Sequence, residues 1–446
     1  RGAIMVGMRQ SSPRWFASLA SVPLAVALAL GPSVAPSVAS IPADGTTPVV
    51  ATAAEAAAPL PDPVVLAAKL KKVSTKGIGT VGLLVTTTDG TVLADRAADV
   101  PLTPASTMKV LTTMAALDAL GPERTFATRV LGSASSRIYL VGGGDPLLTD
   151  KTSTSSYKPA SLQKLAKATV AALKAAGRTS VRLRYDASLF TGPTWSSHWK
   201  SKWKGWEAKV AALEIDSGKL SSGRAAYSPA KTAATAFAKR LKAAGIKVIS
   251  VASGTAPADG PELARVTSTT VSRIIHRTLL ISDNVAAETL SRHAAIARGA
   301  DPSFTGAAGT VQAWLAARGL WTSGMRILDG SGLAPASKLT PTVLASAIRL
   351  ALAEPEFAPV VGGLPVAGKS GTLKHRFDDA SEKAGRQVVH AKTGTLSGLA
   401  ALAGYVTTAD GAVLVFAEIG NDSYSYYRVY DWLDREAAVL AGCGCR

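Results

Sequence analysis

Cysteine is nearly absent from the 446-residue chain: Cys443 and Cys445, one residue apart near the C-terminal end, are the only two. They can bridge only each other, locally and under strain, so no disulfide framework supports the fold; two sulfurs are also too few for a structural zinc site. No catalytic part is expected of them. Histidine is scarce as well. His198, His276, His293, His375 and His390 include none in a G-x-S-x-G elbow or an H-E-x-x-H helix, so the local signatures of a His-based triad and of a zinc protease are missing. Structural or surface roles are expected of all five. A phosphate loop is excluded too, because Gly142-Gly143-Gly144-Asp145 is followed by no Gly-Lys-Ser/Thr. Zinc-finger spacing, the aromatic RNA motif, basic-region heptads and internal repeats are likewise absent. Nucleic acid is therefore not an expected partner.

Acidic residues form the other shortage, with 31 Asp and Glu against 49 Lys and Arg, a formal charge of +18. Such an excess calls for an acidic partner or a generally basic surface. The N-terminal region makes an extracytoplasmic partner the better expectation. From Met8 onward, Arg9 and Arg14 precede an apolar stretch of 15 residues from Phe16 to Leu30, and Val38-Ala39-Ser40 offers small residues for cleavage. Residues 1–40 thus read as a signal peptide, and retention as an anchor is the alternative. No comparable apolar run follows, so the mature chain is expected to be exported, with wall polyanions or acidic lipid head groups as candidate contacts. Residues 41–64, rich in Ala, Pro and Thr, read as a linker.

Three short strings carry the chemistry: Ser106-Thr107-Met108-Lys109, Ser282-Asp283-Asn284 and Lys392-Thr393-Gly394-Thr395. In the order S-x-x-K, S-D-N, K-T-G they spell an active-serine acyl-transfer site. A serine hydroxyl needs a base within hydrogen-bond reach. On a helix Ser106 and Lys109 share a face, which makes Lys109 the candidate base, provided burial and the second cation Lys392 lower its pKa. Ser282 can relay a proton to the leaving amine, and Asn284 can hold the acyl-side amide. Lys392, Thr393 and Thr395 can hold a carboxylate, and Gly394 is expected to let a substrate strand lie close to the backbone. The N–H groups of Ser106 and Thr395 are the expected oxyanion donors. Nothing in this chemistry calls for a metal or cofactor.

A rival third string, Lys369-Ser370-Gly371-Thr372, follows Leu364-Pro365-Val366-Ala367-Gly368 and reads as loop. Lys392 is preferred because Gln387 to Ala391 before it and Leu399 to Val406 after it read as a strand pair.

With these strings in place the chain resembles the D-alanyl-D-alanine carboxypeptidase/endopeptidase family, the low-molecular-mass class C penicillin-binding proteins. The resemblance extends through Val141 to Pro146, Tyr185 to Phe190, Asp329-Gly330-Ser331-Gly332-Leu333 and Leu364 to Arg376, and so covers roughly residues 65–440. It implies an α+β (α/β) penicillin-binding/β-lactamase-like transpeptidase domain, an antiparallel sheet flanked by helices. It also implies peptidoglycan stem peptides as substrate and acylation of Ser106 by β-lactams.

Spacing supplies the architecture. From Ser106 to Ser282 is 176 residues, but from Ser282 to Lys392 only 110. In simpler relatives the first interval resembles a short helical passage, so an α+β domain, residues 134–271, is expected to be inserted into a discontinuous catalytic domain of residues 65–133 and 272–440. One segment departs from the family. Where an acidic residue beside tryptophans usually recognises the diaminopimelate amine, this chain has Trp195-Ser196-Ser197-His198-Trp199-Lys200-Ser201-Lys202-Trp203-Lys204-Gly205-Trp206-Glu207. Packing at a domain boundary is one reading of it and a carbohydrate or anionic-polymer contact another, with Glu207 as the substitute acid.

Two other functions compete with a carboxypeptidase that also cuts cross-links. A β-lactamase-like hydrolase needs an E-x-x-x-N glutamate, and Glu288, Glu354, Glu356 and Glu382 all lack the asparagine. An inactive wall-binding protein would not need Ser106, Lys109, Ser282, Asn284 and Lys392 intact.

Overall fold

A computed structural model describes residues 58–133 and 135–444. The expected signal peptide, residues 41–57 of the linker, and Cys445 lie outside them. In chain order the described residues open with α1 (Pro63–Leu70), β1 (Thr80–Thr87), β2 (Val92–Arg96), α2 (Met108–Leu120), β3 (Ala127–Gly132) and β4 (Arg137–Val141). There follow α3 (Leu162–Ala175), β5 (Ser180–Asp186), α4 (Pro229–Ala243), β6 (Lys247–Ser253) and β7 (Glu262–Thr267). Next come α5 (Val271–Ile281), α6 (Asn284–Ala297), α7 (Phe304–Ala317), α8 (Pro341–Ala353) and α9 (Ala358–Gly362). The chain closes with β8 (Val389–Leu396), β9 (Leu399–Thr407), β10 (Val413–Asn421) and α10 (Tyr426–Ala441). Helix α1 begins inside the expected linker, because Asp62 caps it by accepting from the N–H groups of Val64 and Val65.

Two five-stranded sheets organise the chain. The first is antiparallel throughout, in the order β2-β1-β10-β9-β8. Its strands are covered on both faces, so β10 is apolar at nearly every position yet still alternates: Val415, Ala417 and Ile419 join one core, while Leu414 and Phe416 join the other. The first core is filled from α2, α5, α6, α7 and α8, and the second from α1 and α10. Trp432 of α10 is the largest buried side chain of the second core. Burying such a side chain fully contributes on the order of 1.5–3 kcal/mol.

The second sheet, β6-β5-β4-β3-β7, is mixed: β4, β5 and β6 run parallel, and β3 pairs antiparallel with β4 and β7. Parallel neighbours require crossovers, and α3 and α4 provide them. Leu162, Leu165, Ala166, Thr169, Val170 and Leu173 form the buried stripe of α3, at the spacing that one helix face requires. The break expected at residue 134 falls inside the β3–β4 hairpin. Ala127–Gly132 pairs with β4 and β7 and with no strand of the first sheet, because strands joined by a tight turn share a sheet.

Candidate active site

Ser106 sits in a short 3-10 turn, Ala105–Thr107, that leads directly into α2. This entry brings Lys109 one turn below it, and Lys109 is fully buried. Its Nζ donates to Ser106 Oγ at 2.8 Å, to Asn284 Oδ1 at 2.6 Å and to the Ser331 carbonyl at 2.7 Å. All three N–H donors of the ammonium are therefore occupied. Burial lowers the Lys109 pKa to about 8, against the opposing fields of Asp329, Glu207, Glu288 and Asp283.

The Ser282-Asp283-Asn284 string forms the corner between α5 and α6. Ser282 adopts a left-handed conformation, φ 59°, at the end of α5, which costs a non-glycine residue on the order of 1 kcal/mol or more. Asp283 fixes the corner by accepting from Ala286 N–H at the start of α6 and from Arg277 at 2.6 Å. The corner presents Ser282 and Asn284 to different lysines. Lys392, fully buried on β8, donates to Ser282 Oγ at 2.9 Å and to the Thr393 carbonyl at 2.7 Å. Burial and the nearby Lys109 hold Lys392 well below the usual lysine range.

On β8 the side chains alternate. Lys392 points towards the Ser282 corner. Thr393 and Thr395 point the other way, where their hydroxyls pair with Thr372 Oγ1 at 2.7 Å and Tyr430 Oη at 2.6 Å. Gly394 is required from an unexpected side. A Cβ there would lie 2.6 Å from the Pro104 carbonyl and 3.1 Å from Ser106 N, so the glycine admits the nucleophile's own turn rather than a substrate strand.

The rival string lies beside the preferred one. Before it, Pro365–Ala367 runs along the outer edge of β8: Ala367 N–H donates to the Val389 carbonyl at 3.0 Å and Ala391 N–H to the Pro365 carbonyl at 3.0 Å. Thr372 of that string is the partner of Thr393. The same alternation turns the backbone groups of Thr393 and Thr395 to the open part of the edge.

Asp329 to Leu333 stood out in the sequence only as part of the family resemblance, and its place under Lys109 was not foreseen. Glu288, fully buried on α6, accepts from Ser331 N–H at 2.7 Å and Gly330 N–H at 3.1 Å, which aims the Ser331 carbonyl at Lys109. Asp329 accepts from the N–H groups of Gly332 and Ala334. The available signal was spacing: Glu288 lies four residues after Asn284, on the same helix face. Its pKa, raised to about 7, reflects burial and the neighbouring Asp329.

The tryptophan segment forms one wall of the cleft. Trp199 is buried, donates from Nε1 to Asp329 Oδ2 at 2.7 Å, and stacks edge-on with Trp195 and Phe304. Leu333 and Leu396 pack in the same cluster as Trp195, Trp199 and Trp203. Glu207 accepts from the Asn284 side chain and feels Lys109 and Lys219, while burial raises its pKa. Among the other singled-out residues, His390 stacks on Tyr405 and His293 on Phe126. Cys443 is buried and disulfide-bonded.

Known proteins resemble this chain in sequence and in fold. The D-Ala-D-Ala carboxypeptidase 3 (S13) family matches residues 66–224 and 217–429. Carboxypeptidase DacB of Mycolicibacterium smegmatis is 35% identical over 370 residues, 80% of this chain and 79% of that one. The D-alanyl-D-alanine carboxypeptidase of Actinomadura sp. is 28% identical over 418 residues, 76% of this chain and 77% of its own. Among solved structures, penicillin binding protein 4 (dacB) of Haemophilus influenzae superposes with a TM-score of 0.71 at 20% identity, covering 84% of this chain and 98% of the other. That likeness gives the fold, a penicillin-binding/β-lactamase-like one. The family match spans nearly all the described residues and a relative is a third identical over four-fifths of the chain, so this chain belongs to the D-Ala-D-Ala carboxypeptidase S13 family of serine peptidases.

Proposed function

We propose that this D-Ala-D-Ala carboxypeptidase cuts peptidoglycan stem peptides through an acyl-enzyme on Ser106. The carrying observation is the 2.8 Å contact between Ser106 Oγ and a Lys109 Nζ whose pKa burial lowers to about 8. Deprotonated Lys109 keeps its bonds to Asn284 and Ser331 and turns a lone pair to Ser106. Oγ then attacks the penultimate D-Ala carbonyl and its proton passes to Lys109. The oxyanion is held by the N–H groups of Ser106 and Thr395. As the C–N bond breaks, Ser282 hands its proton to the departing amine and takes in its place the one that Lys109 gained from Ser106, and the terminal carboxylate rests on Lys392, Thr393 and Thr395 beside Gly394. Water hydrolyses the ester, which releases the shortened peptide and restores Ser106.

Glu207, next to Asn284, is the group that receives the ammonium of the third stem residue. Residues 127–267 form the inserted unit, and the rest of the described chain forms the catalytic one. Action on peptidoglycan places the enzyme outside the cytoplasmic membrane. Export by the N-terminal leader and contact with wall polymers or the membrane surface belong to this same reading.

β-Lactams acylate the same serine. Deacylation is slow, because Glu288 is occupied by two backbone N–H groups and is not free to activate water. Fluorescent penicillin labelling is the test. The unaltered protein should label and Ser106→Ala should not; an unlabelled wild type overturns the proposal. Mass spectrometry of defined muropeptides then separates the two activities. Loss of one D-Ala from monomers is carboxypeptidase action, and conversion of cross-linked dimers to monomers is endopeptidase action.

A further inference from the structure

Three lysines on the tryptophan wall have no part in the reaction just described. The direction in which the peptide lies decides what they face. Along β8 the carboxylate cradle opens at Lys392 and Thr393 and ends at Thr395, whose N–H is also the oxyanion donor. Stem residues upstream of the scissile carbonyl therefore run past Leu396 towards Gly398. Leu396, like Trp195 and Trp203, packs against the buried cluster that holds Trp199, so these upstream residues pass in front of that wall.

Lys200, Lys202 and Lys204 project from it and are exposed. All seven ion pairs among the described residues are made by arginine, so none of the three lysines has an acidic partner. From Trp195 to Trp206 there is no Asp or Glu. Two of the ammonium groups are held over aromatic rings, Lys200 at 5.8 Å from the Trp203 centroid and Lys204 at 5.9 Å from that of Trp195. Such cation–π contacts direct a flexible chain. Like charges gathered within five residues repel one another, and Glu207, the one acid of the segment, faces Asn284, Lys109 and Lys219 instead. An anion in the cleft mouth relieves that repulsion.

We infer that this rim binds a carboxylate carried by a stem residue upstream of the D-Ala pair. The enzyme thereby selects stems whose upstream carboxyl groups are free over stems in which they are amidated. This inference rests on the carboxypeptidase reading above. It also gives the two charges of the wall separate tasks, Glu207 for an ammonium inside the cleft and the lysines for a carboxylate at its mouth.

The test uses the full chain and two stem pentapeptides that differ only in whether the α-carboxyl of the second residue, a γ-linked glutamate, is free or amidated. Exposed ionic contacts are individually weak, and three together are expected to favour the free acid about tenfold in kcat/KM, mainly through KM. The preference should shrink with added salt and vanish in Lys200→Gln/Lys202→Gln/Lys204→Gln, with turnover of the amidated peptide and penicillin labelling unchanged. The matching triple Lys→Arg variant should keep it. Equal turnover of the two peptides by the wild type overturns the inference, as does a preference that survives the Gln variant. If the Gln variant loses only its retention on inorganic polyphosphate and keeps the preference, the rim is a polyanion surface and the inference falls. A wild type that labels with penicillin but releases D-Ala from neither peptide overturns the carboxypeptidase reading instead.

Discussion

Lys109 uses all three of its N–H donors in the resting site, so it must lose a proton before it can take one from Ser106. A base whose pKa is lowered to about 8 is mostly protonated below that value. Penicillin acylation should rise about tenfold per pH unit below about 8 and level off above it, as stopped-flow labelling across pH would measure. Glu288 enters through the Ser331 carbonyl. Replacing it with Gln removes a buried acceptor from one of two N–H groups, a loss of about 1–3 kcal/mol, equivalent to roughly five- to 160-fold in acylation rate. The sign of the accompanying pH shift is fixed, because the Glu288 charge raises the Lys109 pKa. In Glu288→Gln the acylation midpoint should move down, whereas simple loosening of the loop would leave it in place. Ser106, Lys109, Ser282, Asn284 and Lys392, whose side chains the structure brings together, were legible as candidates because each lies in a short string. The Ser331 carbonyl was not, since every residue has one and only the fold aims it.

At the scale of elements, the first sheet supplies a strand and the helices supply two corners. The approach of the Ser106 turn to β8 leaves no room for a methyl group at position 394. Gly394→Ala should therefore abolish labelling and lower stability by about 1–3 kcal/mol, read by penicillin fluorescence and urea denaturation. The loop that caps the β8 edge carries a string of its own, Lys369-Ser370-Gly371-Thr372, which reads as loop in the sequence. Its pairing with Val389 and Ala391 lies 22 or more residues away along the chain, beyond the reach of local pattern. The sheet that β3 joins is illegible in the sequence for a similar reason. Pairing is a property of two segments, and residues 127–132 alone do not say which sheet they join.

Over the whole molecule, buried carboxyl groups set the response to pH. Burial raises Glu418, Glu214, Asp145 and Glu288 above their ordinary values. An acid with a raised folded pKa binds more protons folded than unfolded, so its stabilising contribution is complete at low pH and is lost as pH rises from the unfolded value through the folded one. Buried His293, lowered to about 4, works in the opposite sense below about 6.5 but is outnumbered. The melting temperature should fall between about pH 5 and pH 7. Glu418, with both oxygens unpartnered in the core of the first sheet, offers the direct check: Glu418→Gln should raise the melting temperature at pH 7 and leave it nearly unchanged at pH 5. The long first interval between strings is where the second sheet lies, β3 to β7 all falling between Ser106 and Ser282. The capped edge has a further consequence. Pro365–Ala367 occupies the outer edge of β8 up to Ala391, so in the proposed binding mode the groove beyond the carboxylate cradle is a dead end. A leaving group could branch away from the strand there, but a linear chain could not continue along it, and the fold itself would count residues from the peptide's C-terminus.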